Sequence, residues 1–420
     1  MTDLTAAERA VLQRRVLRVL TGGQIVGSAG LAAAVTVGAF VVQDILGAQT
    51  PLSGLATAMV TMGTAFAAQV LARKMRRQGR RPGLQLGYAV AIVGGLVAAA
   101  GAEWSVLPVF LLGLFLFGNG QAANLLARYA ATDLAEPDER ARAMSRIVFA
   151  STFGAVLGPL IIGPAERAGQ DWFGLQKYTG PWLFGASIYV LALVNTAVRL
   201  RPDPLVLAGG VGLTDVARPS LRQTYSSILA GPRSRLALLA MVISHVTMVG
   251  VMTMTPVHMK LHGHEDLSQY VVSLHIAGMY AFAPLVGRFA DRRGREPAIL
   301  VGGVVLVFAT VMAALSGEAA VVLFPALWAL GLGWNFGLIG GSSLLVESMP
   351  ADQRVTVQGA ADMAMSFCGG IAGFSSGFIR RAVGYHLLAT FATAIAGGLL
   401  VIAYTAWLQT RRPMPVPTAV

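Results

Sequence analysis

Residues 287–295 read GRFADRRGR, and this charged run separates two apolar windows, 267–287 and 297–315. A helix needs about 20 mainly apolar residues to cross a bilayer. A turn this short and this charged between two such windows therefore reads as a hairpin at a membrane surface. The pattern recurs once: RKMRRQGRRPG (73–83) separates windows 51–72 and 84–103, and Gly79 matches Gly294 at an offset of 215. Arg140 in LAEPDER matches Arg354 in ESMPADQR at 214, and Asn119 matches Asn335 at 216. A near-constant offset argues for a duplicated unit.

Working outward from these two hairpins, further apolar windows lie near 17–42, 105–127, 143–164, 181–199, 234–257, 319–346, 355–379 and 385–408, twelve in all. Only 12% of the chain is charged, about half the ~25% usual in soluble domains, so lipid is the expected solvent. Basic residues favour cytoplasmic loops. With a cytoplasmic N-terminus, 27 of the 32 Lys and Arg residues fall on the cytoplasmic side of a twelve-span arrangement. The net charge of +12 is then topological, and nucleic acid is not an expected partner. The N-terminal segment is amphipathic and shows no signal-peptide cleavage pattern. One cysteine, Cys368, excludes a disulfide framework and a cysteine zinc site. The longest polar stretch, 200–233, divides the chain. The expected organisation is a six-helix bundle over 1–199, a cytoplasmic linker over 200–233, a second bundle over 234–410 and a cytoplasmic tail over 411–420.

Those hairpins and the six-plus-six repeat resemble the major facilitator superfamily over almost the whole chain. GRFADRRGR fits the family's loop signature, G-x-x-x-D-R-x-G-R, at Gly287, Asp291, Arg292, Gly294 and Arg295. The resemblance implies an all-α membrane transporter of two pseudo-symmetric six-helix bundles, working by alternating access, with these five residues in a cytoplasmic gate. The first-half hairpin departs from the signature: Arg76 stands where the aspartate belongs and Ala72 where the first glycine belongs. GAVLGPLIIG (154–163) is similar to the family's antiporter motif, with Gly154 and Gly158 clearing a groove for a neighbouring helix and Pro159 permitting a kink. A drug–proton exporter usually carries an arginine a turn before GNGQAA (118–123), where LLGLFLF stands instead.

The seventh window opens onto HVTMVGVMTMTPVHMKLHGH (245–264), which holds four of the chain's 6 histidines and four of its 16 methionines. At about 100° per residue, Met241, His245, Met248, Met252 and Met259 fall within an arc of about 60°. His275 and Met279 share a face of the eighth window. Thioether and imidazole suit Cu(I). The outer residues Met254, His258, His262 and His264 are placed to collect metal before it enters. Met248-x-x-x-Met252 followed by His275-x-x-x-Met279 resembles the paired motifs of CcoA-type copper importers. The resemblance implies copper as a transported substrate, with those four residues as ligands. Equally, methionine is a flexible packing residue, and such a stripe serves a helix core.

Asp362 lies inside the eleventh window, either as a proton or cation coupling site or as an ion-pair partner near the cytoplasmic end, with Arg354 the nearest candidate. Gln24, Asn119, Gln121, Asn124, Asn335 and Glu347 stand on windows one, four and ten, which line the central cavity by family analogy. Trp328 and Trp334 are candidate aromatic walls. No nucleotide-binding, nucleophile-elbow or zincin motif occurs, so no enzymatic activity and no prosthetic group is expected. The expected protein is a monomeric, multi-pass inner-membrane transporter with both termini cytoplasmic, whose partners are the lipid bilayer and a small-molecule or metal-ion substrate. Copper uptake is the first reading. Proton-coupled export of an organic compound is the second, and a receptor or assembly role without transport the third.

Overall fold

The computed structural model describes residues 5–47, 52, 55–211 and 220–410, and contains no strand among them. Long helices follow one another: α1 (Ala6–Leu46), α2 (Leu55–Gln78), α3 (Arg80–Glu103), α4 (Leu107–Ala130), α5 (Arg140–Phe173), α6 (Thr179–Arg199) and α7 (Pro232–Leu261). α8 is made of two pieces, Glu265–Tyr280 and Ala283–Arg293. α9 (Arg295–Leu315) and α10 (Ala320–Ser348) follow. The last helical stretch, Arg354–Thr410, is divided by the non-helical backbone of Gly384 (φ 85°, ψ 170°) into α11 (354–383) and α12 (385–410). In hydrocarbon every backbone polar group must be bonded within the protein, and a helix meets this need within its own segment. Nine stretches among the described residues, one of them covering α11 and α12 together, are long and apolar enough to cross a membrane.

Buried apolar side chains form two clusters. One is built on α1–α6, where Trp182 is boxed edge-on by Phe110 and Phe117, and Tyr189 lies beside Tyr88. The other is built on α7–α12. Each takes a few residues from the opposite half: Val346 and Val355 join the first, Ala141 and Val148 the second. Small residues permit this closeness. A Cβ on Gly113 of α4 would lie 2.6 Å from the Cα of Ala98 on α3, so only glycine lets those backbones approach.

Between α6 and α7 the chain carries two short helices. Asp203 caps Pro204–Leu207, and Ser220 with Gln223 forms a reciprocal capping box for Leu221–Ala230. Residues 212–219 of this linker and the 411–420 tail lie outside the described residues.

Candidate functional site

A cavity of about 390 Å³ lies between the two halves, with walls from α1, α2, α4, α5, α7, α8, α10 and α11. The first half contributes mainly amide and hydroxyl groups: Gln24, Ser28, Thr61, Gln121, Asn124 and Ser151. The Gln24 amide donates to Ser151 Oγ (2.8 Å), and the Tyr88 hydroxyl donates to Asn124 Oδ1 (3.2 Å). The second half contributes aromatic rings and thioethers: His245, Met252, Met279, Tyr280, Trp334 and Met365. Trp334 meets Tyr280 edge-on, with ring centroids 5.8 Å apart.

His245 is held by Trp334, whose indole N–H donates to His245 Nδ1 at 2.9 Å. An indole nitrogen can only donate, so Nδ1 carries the lone pair and the proton of the neutral ring resides on Nε2. In that form His245 presents a donor, and neither nitrogen is free to bind a metal. His275 has the opposite arrangement. It is fully buried, its Nδ1–H donates to the carbonyl of Leu327 (2.8 Å), and Nε2 keeps a lone pair with no hydrogen-bond partner among the described residues.

The methionine stripe is rotated off the cavity. The wall of α7 is made by His245, Val249, Met252 and Thr253, a face centred roughly 65° around the helix from Met241 at about 100° per residue. Met252 reaches the cavity; Met248, 2% exposed, is packed in the second core, and Met241 touches the Tyr129 and Ser342 hydroxyls. The outer group also has structural partners. His258 Nε2–H donates to the Gly317 carbonyl (2.9 Å) and its ring stacks on Tyr385, while His262 Nδ1–H donates to the His258 carbonyl (2.7 Å). His264 occupies the N-cap position of α8, and Met254 packs at the edge of the second core. Among the described residues no three His, Cys, Asp or Glu side chains converge on a point that a metal ion would fill.

The polar candidates separate likewise. Gln24, Gln121 and Asn124 line the cavity. Asn119 does not; its amide donates to the Leu116 carbonyl of its own helix (2.9 Å). Asn335 is fully buried away from the cavity, and neither polar atom of its amide has a partner among the described residues. Glu347 faces the arginine-rich end, bound to Arg295 at 2.8 Å. In α5, Gly154 is the contact point for α1, where a Cβ would fall 2.6 Å from the Ala29 nitrogen. Gly158 is buried, and the helix runs unbroken through Pro159, whose side chain lies outside the described residues.

The residue missed in the sequence is Arg128. It reads there as one more cytoplasmic arginine, but the structure buries it at the cavity wall. Its guanidinium pairs with Asp362 of α11, donates to Ser342 of α10 (3.2 Å) and Tyr129 (3.1 Å), and lies over the Tyr129 ring. The partner of Asp362 is therefore Arg128 and not Arg354. A signal was present: Gln121, Asn124 and Arg128 form a helical row at i, i+3 and i+7. Removing one member of a buried pair leaves an uncompensated charge costing about 3–5 kcal/mol.

On the arginine-rich side the halves are latched. Asp291 accepts the backbone N–H groups of Ala141 (3.2 Å) and Arg142 (2.9 Å) at the start of α5, and binds Arg295 at 2.7 Å. Arg295 also holds Glu347 and the Pro137 carbonyl. Gly287 lies against Ser145 of α5, Gly294 makes the turn at φ 102°, and Arg292 is exposed. Across the molecule, buried Arg80 binds Asp133 (2.8 Å) and reaches Gln358 of α11 (3.0 Å). Burial pushes the Asp133 carboxyl above the ordinary carboxylate range, and Arg80 beside it pulls it back down.

Residues 20–374 match the family model described as Major Facilitator Superfamily. The chain is 36% identical over 411 residues to the uncharacterized MFS-type transporter YdeG of Bacillus subtilis, covering 95% of this chain and 93% of that one. It is 30% identical over 393 residues to the riboflavin transporter RfnT of Brucella anthropi, covering 92% and 93%. Its fold is similar to that of the human organic anion transporter MFSD10 (TM-score 0.76, 16% identity, 93% of this chain and 99% of that one). The family model, the long relatives and the twelve-helix architecture agree, and the chain belongs to the Major Facilitator Superfamily of membrane transporters.

Proposed function

We propose that this protein is a secondary transporter, working by alternating access, of a small, flat organic solute with several hydrogen-bonding edges. Compounds of the flavin class are the first to test. The cavity carries the reading: aromatic and thioether groups face amides and hydroxyls across about 390 Å³, inside the ~300–1,000 Å³ usual for small-molecule sites. A flat ring system would stack on Trp334 and Tyr280, accept from His245 Nε2–H and exchange hydrogen bonds with Gln24, Gln121 and Asn124. The riboflavin transporter among the relatives supports that choice. We place the chain in a cytoplasmic membrane with both termini cytoplasmic, on the distribution of its basic residues, and propose it as a monomer.

The test is flux of radiolabelled riboflavin into proteoliposomes, with unlabelled nucleosides, sugars and aromatic acids as competitors. Saturable riboflavin flux, reduced at least tenfold by Trp334→Ala and by His245→Phe, is the expected result. Flux equal to that of protein-free vesicles for riboflavin and every competitor would overturn the reading.

Copper uptake is retained as a second reading on one observation: the Nε2 of His275 has no partner among the described residues and lies one turn from Met279, which lines the cavity. A metal-binding histidine characteristically donates its other N–H to a carbonyl, as His275 does. Under this reading whole-cell copper, measured by mass spectrometry, falls when Met248, Met252, His275 and Met279 all become alanine. Under the first it does not change.

A further inference from the structure

The two hairpins that open the sequence differ at one charge. In the second half Asp291 supplies a carboxylate to the N-terminal N–H groups of α5. The offset of 214–215 maps Asp291 onto Arg76, and Ala141 and Arg142 onto Val355 and Thr356 at the start of α11. The first-half counterpart of that carboxylate is thus a cation, and its counterpart helix start is an end that is itself electropositive and leaves N–H groups unbonded within the helix.

The structure has a cavity of about 580 Å³ at this place, lined by Arg73, Lys74, Arg76 and Arg77 of α2, with Thr356 of α11 and Ser220. Among the described residues no carboxylate lines it, and the Arg76 Nε is buried there without a hydrogen-bond partner. Four cations and a helix start around a single space repel one another unless an anion joins them. Directly along the same face of α2 run Val70, Phe66 and Met62, which are 36%, 62% and 44% exposed; Val70 also lines the cavity. An apolar lane thus leads into a cationic socket.

We propose that this socket binds the phosphate headgroup of an anionic phospholipid, whose acyl chains lie along Met62, Phe66 and Val70. The phosphate takes the place that Asp291 fills in the other half, bridging α2 to α11 and so joining the halves on their arginine-rich side. Ionised phosphate suits this set because several oxygens can accept from guanidinium groups and a helix start at once.

The experiment is native mass spectrometry of the purified full-length protein titrated with phosphatidylglycerol, phosphatidylcholine or inorganic phosphate. The expected result is retention of phosphatidylglycerol over phosphatidylcholine, with affinity falling about fivefold for each of Arg73→Gln and Arg77→Gln, the equivalent of about 1 kcal/mol per charge. Arg73 and Arg77 are exposed, so both single variants keep the helix packing. Arg288→Gln and Arg293→Gln, exposed cations of the other hairpin, are the charge-matched controls and should leave retention unchanged. Equal losses in both sets would mean unspecific surface attraction and overturn the site. Equal retention of phosphatidylcholine would do the same. Inorganic phosphate displacing the lipid at similar concentration would overturn the lipid as occupant.

Discussion

The two hairpins share a backbone and differ in chemistry. Gly79 (φ 99°, ψ 171°) and Gly294 (φ 102°, ψ 162°) adopt nearly the same conformation. Each is followed by a buried arginine, Arg80 or Arg295, that pairs with a carboxylate near the end of the next helix but one, Asp133 or Glu347. Each arginine also reaches across to the opposite half, Arg80 to Gln358 and Arg295 to the Pro137 carbonyl. The duplication has preserved the turn and the arginine anchor. It has not preserved the cap: the second half ties α5 with its own Asp291, whereas the first half has Arg76 at that position, lining a cavity with Thr356 of α11. One latch carries its own carboxylate, and the other has none at that position among the described residues.

The largest test of this contrast is Asp291→Asn against Arg76→Gln. Asp291→Asn weakens the cap on α5 and leaves Arg295, 5% exposed, with less countercharge; a loss of about 3 kcal/mol is expected. Arg76→Gln removes one of the mutually repelling cations and should leave stability unchanged or slightly raised in lipid-free detergent. The shift in thermal unfolding midpoint measures both, and equal shifts would break the comparison. Next come the turns. φ near +100° with extended ψ is a glycine region costing about 1–3 kcal/mol for other residues, so Gly79→Ala and Gly294→Ala both destabilise. Gly79→Ala should be the worse, because its Cβ would meet the Asp203 carboxylate at 2.5 Å, whereas at Gly294 the nearest atom is Pro297 Cδ at 3.4 Å. The smallest effect is a gain. Arg76→Asp restores the missing carboxylate and should stabilise the protein by about 1 kcal/mol, while abolishing the extra stability given by phosphatidylglycerol. A variant that is destabilised and still lipid-responsive would show that Arg76 does not occupy the capping position.

Much of this architecture is legible in the sequence. Apolar windows of helix length and arginine-rich turns suffice to place the helices, because a run of about 20 apolar residues can bond its own backbone in lipid only as a helix. The cavity was only half legible. Gln24, Gln121 and Asn124 belong to it, and so do Met252 and Met279. Met248 and Asn335 look equivalent in sequence yet face away, since a rotation of less than a quarter turn decides which side of a helix meets the cavity and periodicity fixes spacing without fixing phase. Arg128 was hidden for a different reason. A charge at the end of an apolar window looks like a surface charge, and only the arrival of Asp362 from 234 positions away gives it a buried partner. The Trp334–His245 hydrogen bond, which decides the protonation of the histidine, is likewise a contact between distant segments.

The Arg128–Asp362 pair joins a helix of the first half to a helix of the second. While closed it is electrically neutral, and the voltage across the membrane does almost no work on it. If the halves rock apart, the guanidinium travels with one body and the carboxylate with the other. Each elementary charge carried through the full field is worth about 2.3 kcal/mol per 100 mV, so unequal displacement of the two charges along the membrane normal makes opening sensitive to membrane potential. A proton taken up by Asp362 would change that sensitivity by one charge, which gives an electrical measurement of what the ion pair does during the cycle.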